Sequence, residues 1–535
     1  MGYSLNVTLV RYTNDPQEAI ELAASNCYNS KPNGKIMKAC YESGHKSVLE
    51  FAQFHFHIEG ISRVTSHQLV RHRTASFAQR SQRFCSSFGN GIPELPKGDI
   101  KSHGGQRFYN NQQQFISEMY QRGFTTTELS NIYGGDCASI FCIIRKYCQT
   151  RSFSESKNIN KQYFSQIDSY SKAYILGFLY SDGCLSIKKN GLKQIILDQL
   201  AEEELLLTNI IREIKPNGNI THSGHDSMIR VAIQDNDLCS NLEKYGIIVH
   251  KGLFADFTPI LQNVPCQYIS EVIRGIFEGD GHIGLKYNAE GKIVDARFSI
   301  AGTYNTCENI QKILIKEVGV SQTKISHKAN KCYSLNYGGR LQVIKIIKWI
   351  YQNADMRFIH LIKARTIFKL VPEIKAKYIN STKEYVYNNF DAIIPPSILN
   401  NVDASSRFIL LLIQIKDTYI NLQKELAYNG IYGEKANEDA RFVLPNACCT
   451  NIDVSFDFRN LAHFMNERLC RKAQWEIREL AQKMRQCVIE VFPEAASMLV
   501  PKCEMNEVHF CSEKKPCGRY PKLTEMLHTR ESDGE

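Results

Sequence analysis

KAYILGFLYSDGCL at 172–185 and SEVIRGIFEGDGHI at 270–283 decide how this chain folds. Each is an apolar-rich run with a glycine near its middle, and each ends in Asp-Gly. Short strand-like segments and then a helical pattern follow both copies. A repeat fixes the architecture before any other feature, and two copies point to a pseudo-dimer rather than a solenoid. Gly177 and Gly275 carry no side chain, so two such helices can cross closely at those points. A side-by-side crossing brings their C-terminal ends together, and with them Asp182 and Asp280. Two carboxylates that close repel each other unless a cation lies between them. Mg²⁺ suits such hard oxygen donors. The resulting site can activate water and clamp the leaving oxygen of a phosphodiester.

The surroundings of the repeat agree with a polyanion partner. The chain has 535 residues and a net charge of +10, too long for one core. Residues 85–385 hold 37 Lys and Arg against 28 Asp and Glu, so the basic excess belongs to the middle. Hydrophobic content of 43% and charged content of 22% are those of a soluble globular protein. No apolar run is long enough to span a membrane, so no membrane partner is expected. The start, MGYSLNVTLVRYTND, lacks the basic and apolar regions of a secretory signal. With no export signal, the 18 cysteines read as reduced thiols in a cytoplasmic protein.

Two loose stretches, 85–112 and 378–397, bracket the body of the chain and read as linkers. Before the first, Asp15 caps and Pro16 opens a helix, and FAQFHFHIEG (51–60) alternates as a half-buried strand. After the second come helical patterns over Ser405–Asn429 and Arg459–Phe492. Between the first linker and the repeat, FISEMYQRGFTTTELSNIYGGDCASIFCIIRKY (115–147) reads helix, turn, helix, turn, helix. Gly123 suits the first turn, and Thr125 or Thr126, with Glu128, suits the second cap. Residues 113–150 therefore resemble a helix-turn-helix, with Cys137–Tyr147 as recognition helix and Arg145 and Lys146 as DNA contacts.

The region 163–372 resembles single-chain, two-motif LAGLIDADG homing endonucleases, with halves at about 163–257 and 262–372. LCSNLEKYGIIVHKG (238–252) and CYSLNYGGRLQVIKIIKWIYQNAD (332–355) look like the ends of the two halves. The resemblance implies an αββαββα unit in each half, related by a pseudo-twofold axis. It also implies Mg²⁺-dependent cleavage of both strands of double-stranded DNA, with Asp182 and Asp280 as catalytic and metal-binding residues. Lys251 and Lys331 are placed nearest the scissile phosphates.

The flanks carry a second resemblance. SHQLVRHRTASFAQRSQRF (66–84) is dense in guanidinium forks and hydroxyls, which match phosphates. RHRTASFAQRSQR is similar to the signature of flavin-dependent thymidylate synthases, and GHKSVLEF (44–51) looks like that family's flavin segment. NNFDAIIPPSI (388–398), ARFVLPNACCT (440–450) and DFRNLAHFMNERLCRKAQWEIR (457–478) follow in family order. The chain is thus an α+β multidomain protein. A discontinuous α/β synthase domain (1–84 and 386–535) encloses the helix-turn-helix and the endonuclease.

This second resemblance implies methylation of dUMP to dTMP, with methylenetetrahydrofolate supplying the carbon and NADPH reducing FAD, in a homotetramer. Ser47, Arg71, His72, Arg73, Gln79, Arg459 and His463 fall on flavin positions. Gln68, Arg71, Gln79, Arg80, Ser81, Gln82, Arg83, Arg441 and Arg468 fall on dUMP positions. Arg83 and Arg441 would hold the phosphate, and Arg468 would polarise the pyrimidine as a catalytic residue. Asp457 departs from the family pattern, which often has Asn there, and adds an anion beside Arg459. Cys503, Cys511 and Cys517 lack a CxxC spacing and read as free thiols.

Three origins for the interruption compete. A protein-splicing intein needs a β-rich module, and residues 85–160 leave no room for one. An endonuclease frame carried by an intron, translated unspliced, and a direct insertion into a tolerant loop remain equally open. If the ends of the insert splay, Arg83 is misplaced and the synthase is impaired. The rival reading is a DNA-binding homing protein whose synthase is inactive until the insert is removed.

Overall fold

The computed structural model describes residues 5–84, 88, 91–99, 107–151, 159–222, 227–249, 254–329, 331–505 and 507–526. The first flank contributes β1 (Asn6–Tyr12), α1 (Pro16–Tyr28), α2 (Ile36–Glu42), a 3-10 turn (Lys46–Phe51), β2 (Gln53–Ser62), α3 (Arg63–Leu69) and β3 (Ser76–Gln79). Asp15 caps α1 by accepting from the Glu18 amide at 3.0 Å, and Pro16 occupies the first turn. β2 buries Phe54, Phe56 and Ile58 in alternation, the period of a strand with one wet face.

Next come α4 (Asn110–Gln121), α5 (Thr126–Tyr133) and α6 (Cys137–Tyr147). Thr125 and Glu128 form a reciprocal capping box, at 3.1 and 2.8 Å, and Gly123 turns the chain at φ 111°. Ile92 and Phe108 are buried in the core of these three helices.

The first repeat runs α7 (Tyr170–Ser181), β4 (Cys184–Ile187), β5 (Lys193–Leu200), α8 (Glu204–Ile214), β6 (Thr221–His222), β7 (Met228–Gln234) and α9 (Asn236–Glu243). After α10 (Thr258–Asn263), the second runs α11 (Ile269–Asp280), β8 (Gly281–Tyr287), β9 (Ile293–Gly302), α12 (Tyr304–Val318), β10 (Ser326–Ala329), β11 (Cys332–Gly338) and α13 (Arg340–Ile350). Both are αββαββα. Their antiparallel sheets have matching orders, β4-β5-β7-β6 and β8-β9-β11-β10. α7 and α11 pack backbone against backbone. A Cβ on Gly177 would stand 2.8 Å from the Val272 carbonyl carbon, and one on Gly275 would stand 2.6 Å from the Phe178 nitrogen.

After the repeats come α14 (Leu361–Leu370), α15 (Pro372–Phe390), α16 (Pro396–Leu399), α17 (Val402–Tyr428), α18 (Gly433–Ala440), β12 (Cys449–Asp457), α19 (Phe458–Arg468) and α20 (Trp475–Val491). Two readings of the sequence need correction here. The stretch 378–397 is no linker, because α15 runs through its first half as continuous helix. Its start buries Ile374 and Tyr378 in the core of the repeats, and its end buries Val386 and Phe390 in a separate core with α17. The helical pattern Arg459–Phe492 breaks between Arg468 and Trp475 into α19 and α20.

β12 inserts between β2 and β3 to complete an antiparallel sheet of order β1-β2-β12-β3. Residues on either side of the insert thus share one sheet and one core, in which Phe54, Phe56, Phe458 and Phe492 pack together.

The crossing of α7 and α11 is directly testable. Gly275→Val places a side chain on the backbone of α7 and should destabilise the insert by about 1–3 kcal/mol. Urea unfolding of the full chain reads this as an earlier transition, and an unchanged midpoint would refute the close crossing.

Candidate functional site

Ser62 ends β2 and caps α3, accepting from the Thr65 amide at 3.2 Å. Its own amide and hydroxyl both donate to the buried Glu476 carboxylate at 2.6 Å, which ties the start of the signature segment to α20. The chain then passes through the Arg71–Arg73 loop into β3, which pairs with β12. Gln79 donates to Ser66 at 2.8 Å and Thr450 at 3.3 Å, so its amide serves the fold.

The residues expected around a flavin gather on and beside α19. His72 lies between His463 and Phe464, at ring distances of 6.3 and 5.0 Å, and accepts from Arg468 Nε at 3.2 Å. Burial first, then Arg468 and His463, pull the His72 pKa down to about 4, so its ring is neutral at physiological pH. Arg459 pairs with Glu50 of the 3-10 turn that also carries the exposed Ser47. Arg71 and Arg73 are exposed. Asp457, the departure from the pattern, caps α19 by accepting from the Asn460 amide at 2.9 Å.

The expected phosphate residues meet at the other end of the signature. Arg80 pairs with Asp391 at 2.6 Å, joining the residues before the insert to those after it. Arg83 stands 3.5 Å from Glu438, and its carbonyl accepts from Asn437 at 3.2 Å. Arg441, one turn on, donates to the Glu438 carbonyl. Ser81 Oγ accepts from the Arg83 amide at 3.2 Å, while Gln68 and Gln82 are half-buried nearby in sequence. Arg63 was not expected here. It is pushed below the usual guanidinium range by burial, and then by Arg80 and Arg441. The Arg63 Nε is buried with no hydrogen-bond acceptor, and the buried Arg83 Nε has only the Glu438 carboxylate at 3.5 Å. Arg63 lies ahead of the signature motif, and nothing in the sequence pattern marks it.

In the insert, Asp182 follows α7 and Asp280 ends α11. A Cβ on Gly279 would lie 3.1 Å from Asp182 Oδ1, so the first aspartate reaches the end of the second helix. Gln199 of β5 donates to Asp182. Lys363 Nζ donates to the carbonyls of Glu278 and Gly279. Burial lowers the Lys363 pKa, and Glu278, Asp182 and Asp280 each oppose that shift, so one ammonium senses both aspartates. Gln199 and Lys363 were missed in the sequence, because a strand glutamine and a helical lysine have no local signature.

The other predicted DNA contacts are less central. Lys331 sits in the β10–β11 turn at φ 62°, with its ammonium 5.2 Å from the Phe254 ring. It occupies the same end of the sheet as Asp280, since Tyr333 pairs with Gly302 and Gly281 with Ile300. Lys251 lies outside the described residues. Arg145 is exposed at the end of α6, whereas Lys146 reaches Gln113 of α4 at 3.3 Å.

The chain belongs to the Thy1 family, described as thymidylate synthase complementing protein, whose model matches residues 8–162 and 360–494. The flavin-dependent thymidylate synthase of Nitratidesulfovibrio vulgaris is 38% identical over 156 residues, covering 29% of this chain and 63% of its own. That of Geobacter sulfurreducens is 41% identical over 110 residues, covering 18% and 47%. The chain therefore spans between about half and just under two thirds of these relatives. Among solved structures, the I-LtrWI LAGLIDADG homing endonuclease bound to target DNA aligns with 43% of this chain and 99% of its own, at TM-score 0.26 and 14% identity. LAGLIDADG homing endonuclease I-GzeII in complex with DNA target aligns with 41% and 97%, at TM-score 0.28 and 13% identity.

The His72 environment gives a measurable expectation. Its folded pKa lies below the ordinary 6.5, so His72 favours the folded state above that pH and loses the contribution as pH falls towards about 4. Nitrogen-detected NMR of the imidazole should show an unprotonated Nε2 at pH 6; an imidazolium at that pH would contradict the assignment.

Proposed function

We propose that this chain is a working flavin-dependent thymidylate synthase, converting dUMP to dTMP, that carries a Mg²⁺-dependent double-strand DNA endonuclease inside its nucleotide-binding segment. The observation that carries the synthase half is the Arg80–Asp391 pair. The expectation of impairment rested on splayed ends, and the Arg80–Asp391 pair supports ends that are held close together. Arg83 Nε lies by the Glu438 carboxylate, Arg441 donates to the Glu438 carbonyl, and the buried Arg63 Nε without an acceptor supports room for an incoming phosphate.

Arg83 and Arg441 hold the dUMP phosphate, with Ser81 and Gln82 beside it and Gln68 towards the base. Arg80 keeps the site closed through Asp391. Exposed Arg71 and Arg73, with Ser47, Arg459 and His463, present cations and donors to the flavin's phosphates and ring. FAD, when bound, supplies hydride transfer, drawing on NADPH and completing the methyl group that methylenetetrahydrofolate brings. Neutral His72 leaves Arg468 as the charged group near the pyrimidine, where it stabilises developing negative charge. A homotetramer would let neighbouring copies enclose these exposed groups.

In the insert, Asp182 and Asp280 would hold Mg²⁺ at the meeting helix ends, a donor set that fits a hard cation. Lys363 supplies the nearest positive charge for a phosphate or its leaving oxygen, and Gln199 orients Asp182. Two matching sheets offer strands to the major groove. Arg145, Lys146, Lys251 and Lys331 would contact phosphates around them. The described residues between 88 and 163 contain no strand, which disfavours a β-rich splicing module.

Purified full-length chain should be yellow and show dUMP-dependent oxidation of NADPH. It should also cut a plasmid carrying the uninterrupted synthase gene in Mg²⁺ and stop in EDTA. Asp182→Asn should lower cleavage by at least about 100-fold and leave NADPH oxidation unchanged. Colourless, inactive protein that still cuts DNA would favour the rival reading, in which the synthase awaits removal of the insert.

A further inference from the structure

The outer helix of the three-helix module, α6, has two apolar faces where a surface helix needs one. Ile140 and Ile144 are fully buried in the core shared with α4 and α5. Ala138, Phe141 and Cys142 recur at i, i+3 and i+4 on another side, and all three are exposed. Phe141 keeps 41% of its surface in solvent. Neither the synthase site nor the paired aspartates account for this stripe.

The module is docked by a different side. Glu128 of α5 pairs with Lys424 of α17 at 2.6 Å, and the Tyr432 hydroxyl donates to the Ile132 carbonyl at 2.8 Å. Ala427 of α17 is buried in the core of the three helices. These contacts hold α5 on α17 and leave the stripe on α6 open. At its start, the polar groups are spent on the cap. Asp136 accepts from the Ser139 amide at 2.8 Å and from the Ser139 hydroxyl at 2.6 Å. Arg145, at i+7 of the stripe, is exposed. Exposed Arg107 lies against Gly134 in the α5–α6 turn. The stripe is thus apolar in its middle and cationic at both ends, a balance that favours a polyanion over an apolar protein surface.

We propose that Ala138, Phe141 and Cys142 select thymine in a DNA major groove by contact with its C5 methyl group, with Arg145 and Arg107 on the flanking phosphates. Backbone phosphates position a protein on the duplex, and the thymine methyl is the apolar mark on the groove floor that Ala and Phe side chains recognise. The proposal rests on DNA being the partner of the insert, and adds which base the module selects.

The test uses the full-length chain in EDTA, so that binding is read without cleavage. The probe is a duplex that the chain enriches from a random-sequence pool. It is compared with the same duplex made with deoxyuridine in place of thymidine, which lacks only the methyl groups. The unsubstituted chain should bind the uracil duplex more weakly, by about fourfold for each methyl contacted. Phe141→Ala, at an exposed position, should shrink that penalty by at least about fourfold, whatever part of it the two repeats contribute. Arg145→Gln should instead weaken both duplexes alike and lower the salt dependence by about one phosphate. A penalty that is absent, or equal in Phe141→Ala and the unsubstituted chain, would overturn the proposal. So would self-association that Phe141→Ala removes, which would make the stripe a contact between copies. Failure to enrich any duplex would overturn it together with the DNA reading on which it rests.

Discussion

One ion pair sets the terms for everything else in this chain. Arg80 closes the signature segment, Asp391 follows the insert, and their side chains meet at 2.6 Å. Hundreds of residues intervene, yet the backbone leaves and returns at neighbouring points, and the Cys449 amide donates to the Asp391 carbonyl at 2.7 Å. Closing a long loop costs entropy that grows only logarithmically with length. The strand pairing of β12 with β2 and β3 offsets it, because those strands bury a shared aromatic core. Arg80 and Asp391 are therefore held together whatever the length of chain between them.

Inside the insert the governing constraint is steric. Two glycines allow α7 and α11 to touch along their backbones, which brings two acidic helix ends to one place and sets a lysine beside them. The same helix carries a fully buried charge network, in which Arg274 binds Glu271 and Glu278, and Glu278 also accepts from Tyr174 and Tyr351. Breaking one member would leave an uncompensated buried charge. The network thus holds α11 in one rotation, and with it the direction in which Asp280 points.

Much of this was legible in the text of the chain, for physical reasons. Asp15-Pro16 and Thr125 with Glu128 are local capping chemistry, and local chemistry is written in adjacent letters. The repeated glycine and aspartate could be read because a two-helix crossing demands the same residues twice. The failures share a cause. α15 was missed because Asn380, Ser381 and Thr382 suggest a loop, whereas burial of Tyr378, Val386 and Phe390 on one side holds the helix. Arg63, Gln199 and Lys363 gain their surroundings from residues far away in sequence, and such contacts leave no local pattern.

α15 has a consequence for how the molecule could move. Because a single unbroken helix is anchored in the hydrophobic interior of the repeats at one end and against α17 at the other, no swivel exists at that seam. Any twist imposed on the repeats would be passed along this strut as along a drive shaft, ending one residue from Asp391.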